Sequence, residues 1–342
     1  MGRRKNDSAV GRFSILILFL MGVISCCMVY YSISVVFVPS RTDPTISVLD
    51  SGQPVDPEGG EEEEEREEFC CRGIEHWELW GDAVKWGSQF KLNSSEECCT
   101  ACKAMCRKDG PCLCDSWVFC GNQEACGARF GECWLKKQKN SLELDRRDSG
   151  DHVMWTSGFF FAEEQGIVGL ETEYGTLRLK LFPDCAPRSV AYILELLQLQ
   201  HSVGFQFYRA ESRGSFWDSE GNHVENAPFG PPFALVQGTL EAHGTIFTQI
   251  PAEFCPDIRR GSVAWVGSGP DFFISLANHL EWKKAYTVFG SVLPEDIEIV
   301  EKISQLPTKL EVWSNINVSV LEKPVTLRFR MIGTDHDNPQ LQ

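Results

Sequence analysis

Cysteine is the first residue type in this chain whose spacing points to chemistry. Fifteen cysteines stand in 342 residues, and eleven of them fall between Cys70 and Cys133: Cys70, Cys71, Cys98, Cys99, Cys102, Cys106, Cys112, Cys114, Cys120, Cys126 and Cys133. Two chemistries suit thiols at this density. Cys99-x2-Cys102 and Cys112-x-Cys114 have the spacing of thiolate metal ligands. The stretch lacks a second C-x2-C, however, and holds only His76, with His152 further on. The other chemistry is oxidation to a disulfide framework, which replaces the large apolar core that a small module cannot build. Disulfides are the preferred reading, without a metal. With Cys185 and Cys255 the count is thirteen, so at least one thiol is free or joins a second chain as a disulfide-linked dimer. Elsewhere His201, His223, His243 and His279 are scattered, which is the pattern of surface or hydrogen-bonded core histidines. No Ser or Cys occupies a nucleophile elbow, and no Gly-rich phosphate loop is present. Asn93-Ser94-Ser95 and Asn317-Val318-Ser319 are N-glycosylation acceptors.

These residues need elements to position them. Ser94-Ser95-Glu96-Glu97 is a capping-box start for a helix through Met105. Cys98, Cys102 and Cys106 repeat every four residues and so line one face of it. Beyond Gly166 cysteine nearly vanishes and short strand patterns alternate with turns. Gly169–Thr172 and Thr176–Phe182 flank Tyr174-Gly175; the second alternates Leu177, Leu179 and Leu181 with Arg178 and Lys180. Pro187-Arg188-Ser189 opens a helix carrying Val190, Ile193, Leu194 and Leu197 at helical spacing. Further strands are expected at 205–209, 234–237, 261–266, 272–275, 287–292 and 325–331, with a second helix at 294–303. Seven or eight strands and two helices suggest a mainly β domain, a closed antiparallel barrel capped by helices. Cys185 and Cys255 could then pair across it.

The flanks bear on where such chemistry operates. Phe13 to Val38 has no charged residue over 26 positions, and about 20 suffice to cross a bilayer. Arg3, Arg4, Lys5 and Arg12 precede it, so the positive-inside rule puts residues 1–12 in the cytoplasm and the rest in a lumen or outside the cell. The alternative is a signal sequence. Residues 39–68 hold eleven acids against Arg41 and Arg66, a self-repelling acidic linker expected to be disordered. The expected organisation is a cytoplasmic tail (1–12), a transmembrane helix (13–38), the linker (39–68), a disulfide-rich α+β module (69–162), the mainly β domain (163–332) and a tail (333–342). A net charge of −16 argues against a nucleic-acid binder. Such a single-pass type II protein belongs to the secretory pathway, Golgi or ER.

Two resemblances add to this. The stretch from Cys70 to Phe161 resembles a PAN/apple module, through its Cys-bearing helix, Cys112-Leu113-Cys114 and Cys133-Trp134-Leu135-Lys136. The resemblance implies binding of protein or carbohydrate and no catalysis. Gly166 to Met331 resembles a cyclophilin-type peptidyl-prolyl isomerase domain. The residues that carry the likeness are Leu181-Phe182-Pro183-Asp184-x2-Pro187, Phe207-Tyr208-Arg209, Gln237-Gly238, Gly269-Pro270-Asp271-Phe272-Phe273-Ile274, Glu281-Trp282 and Val288-Phe289-Gly290.

That family lowers the barrier of about 18–20 kcal/mol to X-Pro rotation. A guanidinium donates to the prolyl nitrogen once it becomes pyramidal, an interaction absent from the planar ground state. No nucleophile, metal or cofactor takes part. By position the resemblance implies Arg209 as the catalytic guanidinium, Gln237 as the group holding substrate backbone, Phe273 as the floor of the proline pocket, Trp282 at its rim and Leu235 on its wall. The sequence also departs from the family. Residues 211–233 form a long insertion, Ala234 replaces a pocket Phe with Phe233 adjacent, Tyr286 replaces the pocket His, and Trp265 stands where a small groove residue is expected. Trp265 would fill the groove. Two functions therefore stay open: isomerisation of proline-containing secretory clients, or binding by a catalytically inactive domain. An open pocket beside Phe273 with Arg209 at its lip would favour the first, and a pocket plugged by Trp265 the second.

Overall fold

The computed structural model describes residues 70–107, 112–162, 165–199, 204–241, 247–253 and 257–332. The expected membrane span, the acidic linker, Cys255 and the C-terminal tail lie outside them. Among the described residues no helix is long and apolar enough to cross a membrane.

The cysteine-rich part contains seven strands: β1 (Ile74–Glu75), β2 (Trp77–Leu79), β3 (Asp82–Lys85), β4 (Ser116–Phe119), β5 (Cys133–Lys137), β6 (Arg146–Ser149) and β7 (Thr156–Phe159). Five of them form a sheet in the order β1-β7-β4-β5-β3, and β2 pairs with β6. Helix α1 (Ser95–Lys103) begins where the capping box places it: the Ser94 hydroxyl accepts from the Glu97 amide at 3.2 Å. The Glu97 carboxylate accepts from the Asn93 amide at 2.9 Å. The helix ends at Lys103, short of Met105, so Cys106 lies beyond it. Its buried Cys98, Cys99 and Cys102 are stapled to Cys133, Cys71 and Cys114. Cys106–Cys112 and Cys120–Cys126 close short loops. The cysteines with metal-ligand spacing are thus all disulfide-bonded.

The second part carries ten strands: β8 (Ile167–Thr172), β9 (Gly175–Leu181), β10 (Gln206–Glu211), β11 (Leu235–Thr239), β12 (Ser262–Trp265), β13 (Asp271–Ser275), β14 (Val288–Val292), β15 (Thr308–Trp313), β16 (Ile316–Thr326) and β17 (Arg328–Met331). They form one antiparallel sheet ordered β15-β16-β10-β11-β13-β12-β14-β9-β8-β17. The expected closed barrel is not a continuous ladder, because this order has two ends. Its flanks are linked by the chain itself: β16 pairs with β10, and β17, just past Leu327, pairs with β8. The hairpin of β15 and β16 was not anticipated; only 325–331 was read as strand.

Helix α2 (Gln123–Cys126) lies in the cysteine-rich part, and α3 (Pro187–Leu197) and α4 (Ile297–Ser304) in the β domain. The first turn of α3 is capped from a distance. Buried Glu253 accepts from the amides of Arg188 and Ser189 at 2.8 and 3.0 Å and from the Ser189 hydroxyl at 2.6 Å. Burial pushes the Glu253 carboxyl above its usual range, and these donors only partly offset that. At the start of α4, Asp296 accepts from the Arg178 amide and Nε, both at 2.8 Å, tying the helix to β9. Val190, Ile193 and Leu194 of α3 and Ile297, Val300 and Ile303 of α4 bury their expected faces.

The two parts share one core. Trp77, Leu79 and Phe159 belong to the same apolar cluster as Val168, Leu170, Ile193 and Leu194. Cys70 is bonded to Cys185, not Cys185 to Cys255 as considered above. Beside this bridge the Arg72 amide donates to the Asp184 carbonyl at 2.8 Å, and Lys103 Nζ meets the Asp184 carboxylate at 2.6 Å.

Candidate functional site

Strand register assembles the site. Arg209 on β10 pairs with Gln237 on β11, Gln237 with Phe273 on β13, and Phe273 with Ala264 on β12. Side chains directly opposite across a sheet share a face, so these four form one row. Arg209 enters it at a register shift between Phe207 and Arg209 that sets Tyr208 apart. The next residue of β11 has to be glycine: a Cβ on Gly238 would stand 2.4 Å from the Gln206 carbonyl oxygen.

The adjacent row faces the other way and corrects the Trp265 expectation. Trp265 pairs with Phe272, and Phe272 with Gly238. Trp265 is 1% exposed, stacks on Phe289 at 4.4 Å and meets Tyr192 at 6.0 Å. It fills the interior, and it is Ala264 that shares the face of Phe273. A period of two sends neighbouring residues to opposite faces, so an offset of one residue exchanged them.

Around Phe273 lies an aromatic cluster. Leu235, Ile258, Ala264 and Val288 are buried with it, and Phe233, Trp282 and Tyr286 pack against them. Trp282 and Tyr286 approach the Phe273 ring edge-on at 5.8 and 5.2 Å. Phe273 is 2% exposed, so Trp282, expected at the rim, and Tyr286, in the place of the pocket His, cover the floor. Phe233 takes the wall position vacated by Ala234. Ala234 has φ +50°, a left-handed turn of the backbone immediately after Phe233.

Arg209 and Gln237 are 9% and 6% exposed. Arg209 donates from one terminal nitrogen to the Gln237 side-chain carbonyl at 2.8 Å. The Gln237 amide donates to the Tyr208 hydroxyl at 2.7 Å. Burial, reinforced by the charge of Asp271, pushes the Tyr208 phenol well up, so it stays protonated. The guanidinium also lies 5.6 Å from each of two rings, Phe233 and Trp313.

Sequence reasoning did not find Glu211, Trp313 or the part played by His279. Glu211 Oε1 accepts from Arg209 Nε and its second terminal nitrogen, both at 2.9 Å, and from the Ser319 amide at 3.4 Å. Glu211 Oε2 accepts from the Phe233 amide at 2.7 Å. The only signal for Glu211 was an acid two residues after Arg209 on a buried strand. Trp313 lies in the unanticipated hairpin. His279 is fully buried behind Trp282, with the two rings stacked at 3.7 Å and 3°.

Arg209, Gln237, Phe273, Trp282, Leu235 and Tyr286 therefore come together, and Trp265 stands apart. The two sequon asparagines, Asn93 and Asn317, are exposed. Chemically, the arrangement offers a fixed guanidinium and an amide beside an apolar aromatic cluster. It has neither a nucleophile nor a general base poised on a reacting group.

Residues 167–324 match the family described as "Cyclophilin type peptidyl-prolyl cis-trans isomerase/CLD". No match is found among curated proteins. Among solved structures, the cyclophilin type peptidyl-prolyl cis-trans isomerase of Cryptosporidium parvum is 16% identical, with 48% of this chain and 97% of that chain covered and a TM-score of 0.33. In the presence of the dipeptide Ala-Pro the corresponding values are 17%, 47%, 98% and 0.32. The cyclophilin AquaCyp293 from Hirschia baltica is 14% identical, with 50% and 75% covered and a TM-score of 0.34.

Proposed function

From the premise that residues 167–324 are a divergent cyclophilin-type domain, we propose that this domain isomerises X-Pro bonds slowly, with Arg209 as the electrostatic catalyst. The observation that carries this is the 2.8 Å hydrogen bond between Arg209 and Gln237, in register with Phe273. Gln237 holds the peptide backbone while the proline ring enters the aromatic cluster. Arg209 then donates to the prolyl nitrogen as it becomes pyramidal, an interaction confined to the transition state. The reaction is slow because Trp282 and Tyr286 must swing off Phe273 before a proline ring fits, and because Glu211 already engages the guanidinium.

The second reading is a non-catalytic binding domain. The full engagement of Arg209 by Glu211 and the covered face of Phe273 favour it. In either reading the chain is tethered to a secretory-pathway membrane by residues 13–38, with its folded part lumenal. Six disulfides in the described part support an oxidising compartment. The cysteine-rich part serves as a PAN-like module for a protein or glycan, and the clients are proline-containing secretory proteins.

The test is X-Pro isomerisation by the compact unit Glu65–Gln342. Arg209→Ala alone strands a buried carboxylate, so it is assayed beside Arg209→Ala combined with Glu211→Leu. Acceleration by the native chain and its loss in both folded variants is the expected result. A native chain that stays at the uncatalysed rate yet binds a proline peptide establishes the second reading.

A further inference from the structure

The insertion after β10 is docked on the loop that leads to Trp282. The Asn278 amide donates to the Gly221 carbonyl at 2.7 Å, and its side-chain amide donates to the Asn222 side-chain carbonyl at 2.7 Å. The Trp217 ring meets the His279 ring edge-on at 5.2 Å. His279 is the centre of this contact. Its Nε2 lies 2.7 Å from the Phe233 carbonyl oxygen, which can only accept, so in this contact Nε2 is the donor. Its Nδ1 lies 2.7 Å from the Glu281 carboxylate, which fixes the ring in its plane. In that plane it stacks on Trp282.

The backbone of Phe233 is thus held on both sides of its Cα. Its amide donates to Glu211, the partner of Arg209, and its carbonyl accepts from His279, the partner of Trp282. Its ring stands 5.6 Å from the Arg209 guanidinium and 6.0 Å from Trp282. One histidine therefore contacts both Phe233, through its carbonyl, and Trp282, through its ring.

We propose that His279 is a positioning residue of the X-Pro site, acting through Phe233 and Trp282 to shape the wall that receives the proline ring. This rests on the isomerase reading. It assigns the insertion a task as well: it brings Phe233 into the place that Ala234 leaves empty. His279 touches neither the guanidinium nor the reacting bond, so its effect falls on peptide affinity and not on the chemical step.

The two nitrogens can be tested separately. An Asn side chain ends near the position of Nδ1 and a Gln side chain near that of Nε2. His279→Gln keeps a donor for the Phe233 carbonyl, whereas His279→Asn loses it. In Glu65–Gln342, the dissociation constant and KM for an Ala-Pro-containing peptide are measured with kcat, together with hydrogen exchange over residues 213–233. His279→Asn is expected to raise KM and Kd roughly tenfold, the equivalent of about one lost buried hydrogen bond, with kcat within about twofold. Exchange of the insertion quickens in the same variant, and His279→Gln restores both. Equal effects of the two variants on affinity, or a fall in kcat at unchanged KM, overturn the proposal. Should both variants fail to fold, Glu281→Gln loosens only the Nδ1 side. It is expected to raise Kd about threefold, and an unchanged Kd overturns the proposal. If the native chain binds peptide without accelerating isomerisation, the isomerase reading fails while the Kd and exchange arms still decide the role of His279.

Discussion

Glu211 decides how Arg209 can act. A guanidinium in a site this dry needs a counter-charge, since an isolated buried ion costs several kcal/mol. Glu211 supplies it and satisfies the Phe233 and Ser319 amides at the same time. The arrangement predicts strong coupling. Glu211→Ala should cost about 3–5 kcal/mol of stability, because it leaves Arg209 buried and unpaired. Arg209→Ala should cost a similar amount for the mirror reason. The double variant should cost clearly less than the two together, by about 1–3 kcal/mol in a denaturation cycle. Strict additivity would mean that the pair is not a working unit. At this scale, Arg209, Gln237 and Phe273 were legible because each sits in a short run of fixed order, Phe-Tyr-Arg, Gln-Gly and Asp-Phe-Phe-Ile. Glu211 and His279 were not, since the Phe233 contacts that give them their roles lie 22 and 46 residues away in the chain. Trp265 was misplaced by a single step of the strand alternation, which sends neighbouring residues to opposite faces.

The hairpin of β15 and β16 is the element that sequence patterning overlooked, for a physical reason. Its alternation is clear, with Leu310 and Val312 against Lys309 and Glu311, but the apolar residues point outward, at 76% and 69% exposure. A pattern normally read as a buried face is here inverted. The two-residue turn at Ser314-Asn315 has φ of +46° and +71°, the backbone that hairpins favour, yet without the glycine that usually announces it. The hairpin matters because Trp313 projects from its inner face to within 5.6 Å of the Arg209 guanidinium and 6.1 Å of the Tyr208 ring. A ring so placed steadies the cation by about 0.5–1 kcal/mol. Trp313→Ala should therefore lower kcat/KM for an X-Pro peptide about two- to fivefold, while leaving the melting temperature of this peripheral hairpin nearly unchanged. An unaltered kcat/KM would show that Phe233 alone steadies the guanidinium. The strands that build the row from Arg209 to Ala264 are legible in the sequence because they obey the usual rule, apolar side chains inward and turns between.

For the folded part as a whole, the disulfide framework and the β domain share one apolar core. Cysteine density announced the framework, but its most consequential bond was not legible: Cys70 reaches across 115 residues to Cys185. Local spacing carries no information about such a partner, and the arithmetic left open which thiol was the odd one. Among the described residues the eleven clustered cysteines and Cys185 form six bridges, and Cys255 lies outside the described residues. Thirteen cysteines after the linker is an odd number, so thiol titration of denatured Glu65–Gln342 should find at least one thiol per chain, or none where one cysteine links two chains. The shared core makes a stronger prediction. Trp77 and Phe159 from one part pack with Val168 and Leu194 from the other, so neither part keeps its apolar surface covered alone. Replacing Cys70 and Cys185 with Ala should lower the melting temperature, since closing so long a loop is worth at most about 4–5 kcal/mol. The other five bridges shorten the effective loop and reduce that figure. The unfolding transition should nevertheless remain single in calorimetry, because the core that joins the two parts is apolar packing and outlasts the bridge. Two separate transitions in the variant would show that the covalent link, and not the packing, makes them one body.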